Sequence, residues 1–337
     1  MVLQRARVLC SILFTTLTLF LVVVTCQAQY TQTNLVTTTQ DPNLKNAWGL
    51  AYAPTSPFWV SDENSGKSTV YDADGTIGSL VVSVPAGTSG RGSPTGIVAN
   101  STSGFVVTQN GVSGPAAFIF ATFDGTISGW NSSVNATNAV IAVNNSGTAN
   151  YTGLAIATTT TGTTLLYAAN SAKNQIEVYN DKFKLVKTFG DTSLTGLTVY
   201  GVQVIKGVLF VTFNGTGGAV DIFNLTGKLV KKLTSNGVGG PLNSPWGLAL
   251  APKNFGVMSG ALLVGNVNDG KINAFNLSTG ALKGPLMDTN GKVIANPGLW
   301  GLQFGGGTGS TGNGNTNQLF LTAGTGGYAT GLFAVIQ

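Results

Sequence analysis

The chain has 337 residues, with 17 Lys and Arg against 12 Asp and Glu, no His, 47 Gly and 2 Cys. Charged residues make up 9%, far below the roughly 25% of an ordinary soluble domain, yet 43% hydrophobic residues supply a large core and exclude a disordered polymer. Without His there is no Ser-His-Asp triad, no Cys-His dyad and no His-ligated zinc.

The first segment reads as an export signal. Arg5 and Arg7 precede an uncharged, mostly apolar run of 17 residues from Val8 to Val24, and Cys26-Gln27-Ala28 offers small residues where a signal peptidase reads. Cleavage is expected after Ala28; the alternatives are an uncleaved anchor and, more weakly, acylation at Cys26. Loss of residues 1–28 removes both cysteines (Cys10 and Cys26) and two Arg, lowering the net charge from +5 to +3. The remaining chain then has no disulfide and no thiol chemistry. Its charge is too small, and its Lys too scattered, for nucleic-acid binding. A secreted, extracellular or periplasmic protein is expected, with no membrane attachment after cleavage.

From there on the chain repeats. The pattern x-Gly-(Leu/Ile/Val) occurs at Trp48-Gly49-Leu50, Thr95-Gly96-Ile97, Thr152-Gly153-Leu154, Tyr200-Gly201-Val202, Trp246-Gly247-Leu248 and Trp300-Gly301-Leu302, with glycines 47, 57, 48, 46 and 54 residues apart. A β-type run follows each: Phe58-Trp59-Val60, Phe105-Val106-Val107, Leu165-Leu166-Tyr167, Leu209-Phe210-Val211, Leu262-Leu263-Val264 and Leu319-Phe320-Leu321. A further alternating run comes after a turn, as in Thr126 to Trp130 behind Asp124-Gly125 and in Lys271 to Phe275 behind Asp269-Gly270, both hairpin signals. More polar runs, such as Leu80 to Val84 and Leu185 to Phe189, close most units. Four short strands in each of six units predict an all-β, six-bladed β-propeller over residues 29–337, as a single domain. The last unit stops after three strands, so Tyr30 to Thr37 is expected to supply its outer strand and close the ring.

Asn46-Ala47-Trp48-Gly49-Leu50-Ala51, Phe118 to Thr122 with Asp124 to Trp130, Pro241 to Pro252, Gly260 to Asn266 and Gly298 to Leu302 together resemble a group of secreted, functionally uncharacterised bacterial proteins. That group is similar in repeat style to NHL-type six-bladed propellers, and the likeness spans about residues 30 to 336. It implies fold and export and brings no activity with it. The gluconolactonase-like lactone hydrolases, a related enzyme branch, place Asn or Asp before the inner-strand glycine as ligands to a divalent cation. Here those positions are Trp48, Thr95, Thr152, Tyr200, Trp246 and Trp300, which offer no carboxylate or amide, so neither a metal nor any cofactor is expected.

The aromatic pre-glycine residues Trp48, Tyr200, Trp246 and Trp300 fall on adjacent units of the ring, an arc suited to sugar faces or other flat amphipathic ligands. The alternative is packing between blades. A second ring at the ends of the second runs comprises Asp62, Gln109, Asn170, Phe213, Asn266 and Ala323, with Asn110 and Asn214 next to it. Asp62, Asn170 and Asn266 are candidates for a polar rim, against the alternative that they cap turns. Asp62 and Glu63 are adjacent, so a strand would point them to opposite faces. No spacing forces a carboxylate pair together. The glycine-rich stretch Gly305 to Asn317 lacks the Lys of a phosphate cradle and reads as a flexible loop. The resulting expectation is a monomeric binding module for extracellular carbohydrate or a surface protein partner. Competing readings are a hydrolase or lyase acting on a glycan or lactone through carboxylates such as Asp62, and a structural envelope or matrix protein.

Overall fold

The computed structural model describes residues 29–337 apart from Ser89; the expected export signal lies outside the described residues. Six four-stranded antiparallel sheets are arranged as the blades of a propeller. Blade 1 consists of Ala47–Ala51, Phe58–Asp62, Lys67–Tyr71 and Val82–Ser83, and blade 3 of Tyr151–Thr158, Thr164–Asn170, Gln175–Tyr179 and Leu185–Phe189. Blade 4 runs from Leu197–Ile205 through Val208–Gly215 and Gly217–Phe223 to Leu229–Asn236, and blade 5 from Pro245–Leu250 through Leu262–Asn266 and Ile272–Phe275 to Leu282–Pro285.

Closure follows the expectation. Blade 6 takes Leu299–Phe304, Leu319–Thr325 and Thr330–Ile336 from the C-terminus and Gln32–Thr37 from the N-terminus, with Gln32 opposite Ile336 and Thr37 opposite Leu332. The closing strand begins at Gln32 rather than Tyr30. Gln29–Tyr30 turns away to pair in parallel with Met287–Asp288, and Tyr30 stacks on Phe255 at 4.6 Å while its hydroxyl donates to the Phe255 carbonyl.

Blade 2 corrects one expectation. Its strands are Pro94–Ala99, Phe118–Thr122, Thr126–Trp130 and Val140–Asn144. Phe105-Val106-Val107 is not its second strand; Val106–Gln109 pairs with Val112–Pro115 in a separate hairpin, with Asn110 and Gly111 at φ of 52° and 81° in the two-residue turn. Phe118 to Thr122 wins the blade position because all five of its residues are buried, whereas the hairpin strands are largely exposed. Gln109 and Asn110 therefore leave the expected second-strand ring, and Thr122 takes the blade 2 position.

Both faces of each blade are buried, so successive residues of one strand feed two different apolar layers. Phe58 and Val60 pack with Phe320 and Phe333 of blade 6, while Trp59 between them stacks on Phe118 of blade 2 at 4.1 Å. Six such layers lie between neighbouring blades. The loop from Gly305 to Asn317, expected to be flexible, is pinned: buried Asn313 donates to the carbonyls of Ala53, Pro54 and Ser56 and accepts from Thr308.

The repeated signature has a steric cause. At each of the six motifs the inner strand slips register against its neighbour, a β-bulge that re-aims the side chain before the glycine. A Cβ at Gly49 would lie 2.3 Å from the Thr95 carbonyl, at Gly201 2.4 Å from that of Trp246, and at Gly247 2.2 Å from that of Trp300. The inner strands thus converge on the axis at a level where only hydrogen fits at Gly49, Gly96, Gly201, Gly247 and Gly301, whereas Gly153 has nothing nearer than 3.2 Å. Around Gly49, Gly96, Gly247 and Gly301 the channel narrows to a cavity of about 30 Å³, room for a single water.

Candidate ligand site

The pre-glycine rings gather on one side of this constriction. Trp48 stacks on Trp300 at 3.6 Å and 18°, and Tyr200 meets the pair edge-on at 6.4 and 5.9 Å. Trp246 stands edge-on to both indoles at 6.0 Å. The rings therefore do not sit between blades; they converge across the axis and plug it. A left-handed residue two positions upstream launches each Trp motif: Asn46 (φ 47°), Ser244 (φ 55°) and Gly298 (φ 84°). Asn and Gly tolerate this region best.

Above the plug a cup of about 280 Å³ is lined by Asn46, Trp48, Glu63, Phe123, Tyr200, Trp300 and Tyr328. Trp48 and Trp300 are 6% and 3% exposed and form its floor, while Phe123 and Tyr328, 45% and 38% exposed, stand at the lip. Tyr328 holds φ at 71°, unusual for a bulky side chain and a mark of backbone strain at the lip. Asn46 organises the polar side: its Oδ1 accepts from the Trp300 indole at 3.0 Å and its Nδ2 donates to Glu63 Oε2 at 2.9 Å. The Glu63 amide in turn donates to the Asn46 carbonyl. The Trp48 indole N–H is buried without an acceptor among the described residues. Burial pushes the Tyr200 phenol up, with Tyr328 adding to the effect, so Tyr200 stays neutral.

Three of the four arc residues, Trp48, Tyr200 and Trp300, line this cup. Trp246 does not; it lines the constriction below and donates its indole N–H across the axis to the Thr152 carbonyl at 2.7 Å. Asp62, Asn170 and Asn266 depart from the rim expectation, because all three are fully buried. Asn170 donates to Glu177 and accepts the Asn150 amide, and Asn266 donates to the Pro241 carbonyl and accepts the Asn243 amide. They hold turns and loops. Burial drives the Asp62 carboxyl well above the carboxylate range; the Thr69 hydroxyl, donating to Oδ2 at 2.7 Å, works against this and nearby Asp41 adds to it. Asp62 ends its strand buried, and Glu63, the first residue of the turn that follows, lines the cup.

Sequence reasoning passed over Asn46, Glu63, Phe123 and Tyr328. Asn46 carried a signal, standing in the Asn-Ala-Trp-Gly motif; the others lie in turns between second and third strands, whose direction depends on the neighbouring blades. The opposite mouth of the channel opens into a funnel of about 300 Å³ where Gln203 and Gln303 stand among small residues such as Ala51, Ala99 and Ala155.

A separate acidic pair lies in blade 4. Asp191 accepts the Ser193 amide and hydroxyl at 2.9 and 2.6 Å and meets Lys232 Nζ at 3.0 Å. Burial opposes its ionisation, but the bonds from Ser193 and Lys232 outweigh it and bring Asp191 down to about 2. Burial, reinforced by Asp191, pushes buried Asp221 up to about 7. Among the described residues no group of three or more His, Cys, Asp or Glu side chains could hold a metal ion, and no helix is long and apolar enough to cross a membrane.

No family model matches the chain. The solved streptogramin B lyase is similar over 91% of this chain and 97% of its own, at a TM-score of 0.54 and 11% identity. The PQQ-bound aldose sugar dehydrogenase of Streptomyces coelicolor is similar over 92% and 99%, at 0.56 and 14%. These likenesses show the fold alone. In sequence, uncharacterized protein R648 of Acanthamoeba polyphaga mimivirus is 31% identical over 287 residues, covering 78% of this chain and 69% of that protein. Protein L690 of the same virus is 28% identical over 285 residues, covering 78% and 74%. The bacterial group expected from the motifs is not among these relatives, which are viral. The chain belongs to the family of these mimivirus proteins and is built as a six-bladed β-propeller.

Proposed function

We propose that this protein is an exported binding module that takes a carbohydrate ring, a single unit or a chain end, in the aromatic cup. The observation that carries this reading is the lining itself: five aromatic side chains around about 280 Å³, with Asn46 and Glu63 as the polar contacts. Aromatic faces cover the apolar faces of a sugar, and a fixed carboxylate and amide suit its hydroxyls. That volume falls just below the roughly 300–1,000 Å³ typical of ligand sites, which favours one ring over several.

The indoles of Trp48 and Trp300 make the site self-reporting. Titrating the purified protein with oligosaccharides is expected to give a saturable fluorescence change without product formation. Phe123→Ala, at the exposed lip, is expected to weaken binding while leaving the fold intact. Turnover of a bound glycan would replace the binding reading with the hydrolase or lyase reading. Absence of any saturable change would end the carbohydrate reading and leave a protein partner to be sought. Export rests on residues 1–28, and N-terminal sequencing of the protein recovered outside the cell is expected to begin at Gln29.

A further inference from the structure

We propose that the cup selects sugars bearing a free ammonium group over neutral ones; this rests on the carbohydrate reading and adds the sign of the ligand's charge. Glu63 is the only carboxyl in the lining, which holds no Lys or Arg. Its Oε2 is occupied by Asn46, whereas Oε1 has no hydrogen-bond partner among the described residues. The ion pairs of the described residues, Lys173–Glu177, Lys232–Asp191 and Lys271–Asp269, do not include it. Lys67 donates to Ser83 Oγ and Arg91 donates to the Asn64 carbonyl, while Lys45, whose carbonyl accepts the Asn64 amide, forms no ion pair among the described residues. A chain of formal net charge +5 thus keeps an unneutralised carboxylate at its aromatic mouth.

The cup sets one carboxyl among five aromatic rings. The faces of Trp48, Tyr200, Trp300, Tyr328 and Phe123 carry the negative side of their quadrupoles, and Glu63 adds a full negative charge. A neutral ring covering the cup strips water from that carboxylate and returns only hydroxyl hydrogen bonds. A ring with an ammonium group returns a charge-assisted hydrogen bond to Oε1 and a cation over the aromatic faces. The Trp300–Asn46–Glu63 chain of hydrogen bonds holds the carboxylate in place, so little ordering is left for the ligand to impose.

The test compares three trisaccharides of similar size: glucosamine, N-acetylglucosamine and glucose oligomers, titrated against the full protein and Glu63→Gln by calorimetry. The glucosamine trimer is expected to bind about tenfold more tightly than either neutral trimer, with the preference shrinking as salt rises. Glu63→Gln is expected to bring the glucosamine trimer to the same affinity as the neutral trimers, whatever the variant does to sugar binding as a whole. Equal affinity for all three, or a preference that survives Glu63→Gln, overturns the proposal while the carbohydrate reading stands. Failure of all three sugars to bind overturns both.

Discussion

At one position of the repeat, the residue before the inner-strand glycine, blades 2 and 3 differ from the other four. Thr95 and Thr152 act as staples, each donating at 2.7 Å to a carbonyl of the next blade, Tyr151 and Tyr200 respectively. In blades 1, 4, 5 and 6 the same position carries Trp48, Tyr200, Trp246 and Trp300, which fill the axis. An inter-blade polar link persists there through a second strand, where Thr322 Oγ1 of blade 6 donates to the Trp48 carbonyl of blade 1, while Thr212 of blade 4 accepts the Gly201 amide of its own blade. One backbone geometry therefore serves two ends. A small hydroxyl fastens neighbours, and a large ring closes the channel and floors the cup.

That contrast can be broken at the glycines first. Gly247→Ala puts a methyl group 2.2 Å from the Trp300 carbonyl, and is expected to cost about 3 kcal/mol or more, or to prevent folding. Gly153→Ala, beside a staple, meets nothing nearer than 3.2 Å and is expected to cost within about 1 kcal/mol. Chemical denaturation of the two variants measures the difference; equal losses would mean that the close approach around the ring is uniform.

Next come the charges of blade 4. A carboxyl whose folded pKa is raised stabilises the fold below its unfolded value and loses that contribution as pH climbs to the folded one. Asp221 accordingly costs stability between about pH 4 and pH 7, whereas Asp191, held near 2, loses its contribution as pH falls from about 4 to 2. Each carboxyl acts on the other's ionisation, so the two titrate as a coupled pair. Asp221→Asn is expected to flatten the pH 4–7 slope and to raise stability at neutral pH by on the order of 2 kcal/mol, read as melting temperature against pH. An unchanged slope would remove Asp221 as its source.

The staples follow. Thr152→Val keeps the shape and removes the donor to the Tyr200 carbonyl, at an expected cost of about 1–2 kcal/mol. The smallest effect belongs to the cup wall. The Tyr200 hydroxyl has no hydrogen-bond partner among the described residues, so Tyr200→Phe is expected to change stability by less than about 0.5 kcal/mol. If ligand binding weakens in this variant without a stability change, the hydroxyl faces the ligand.

Much of the fold was legible because it rests on local rules repeated six times. The inner-strand glycines, the Asp124-Gly125 and Asp269-Gly270 turns and the alternating strands each carry their own signal, and the closing role of the N-terminal segment followed from counting strands. The error in blade 2 arose because two apolar runs, Phe105 to Val107 and Phe118 to Phe120, compete for one position. Burial between two neighbouring blades decides between them, and no local pattern contains it. The candidate site was half legible: Trp48, Tyr200 and Trp300 stood in the motif, while Trp246 at the same position turned to a strut across the axis.

Demands that act within a few residues are written into the chain itself: Asn46, Ser244 and Gly298 where the backbone must turn left-handed, and strand lengths that divide the chain into blades; the inner-strand glycines answer to the neighbouring blade and were legible through their recurrence. The cup is different in kind. Phe123, Glu63 and Tyr328 come from turns of three blades, up to 265 residues apart, and share a mouth only because ring closure brings blade 6 against blade 1. Which of two adjacent carboxyls lines the cup, Asp62 or Glu63, was likewise settled by packing. One is fully buried, with burial pushing its carboxyl well above the carboxylate range, and the other is left at the opening outside every ion pair of the described residues.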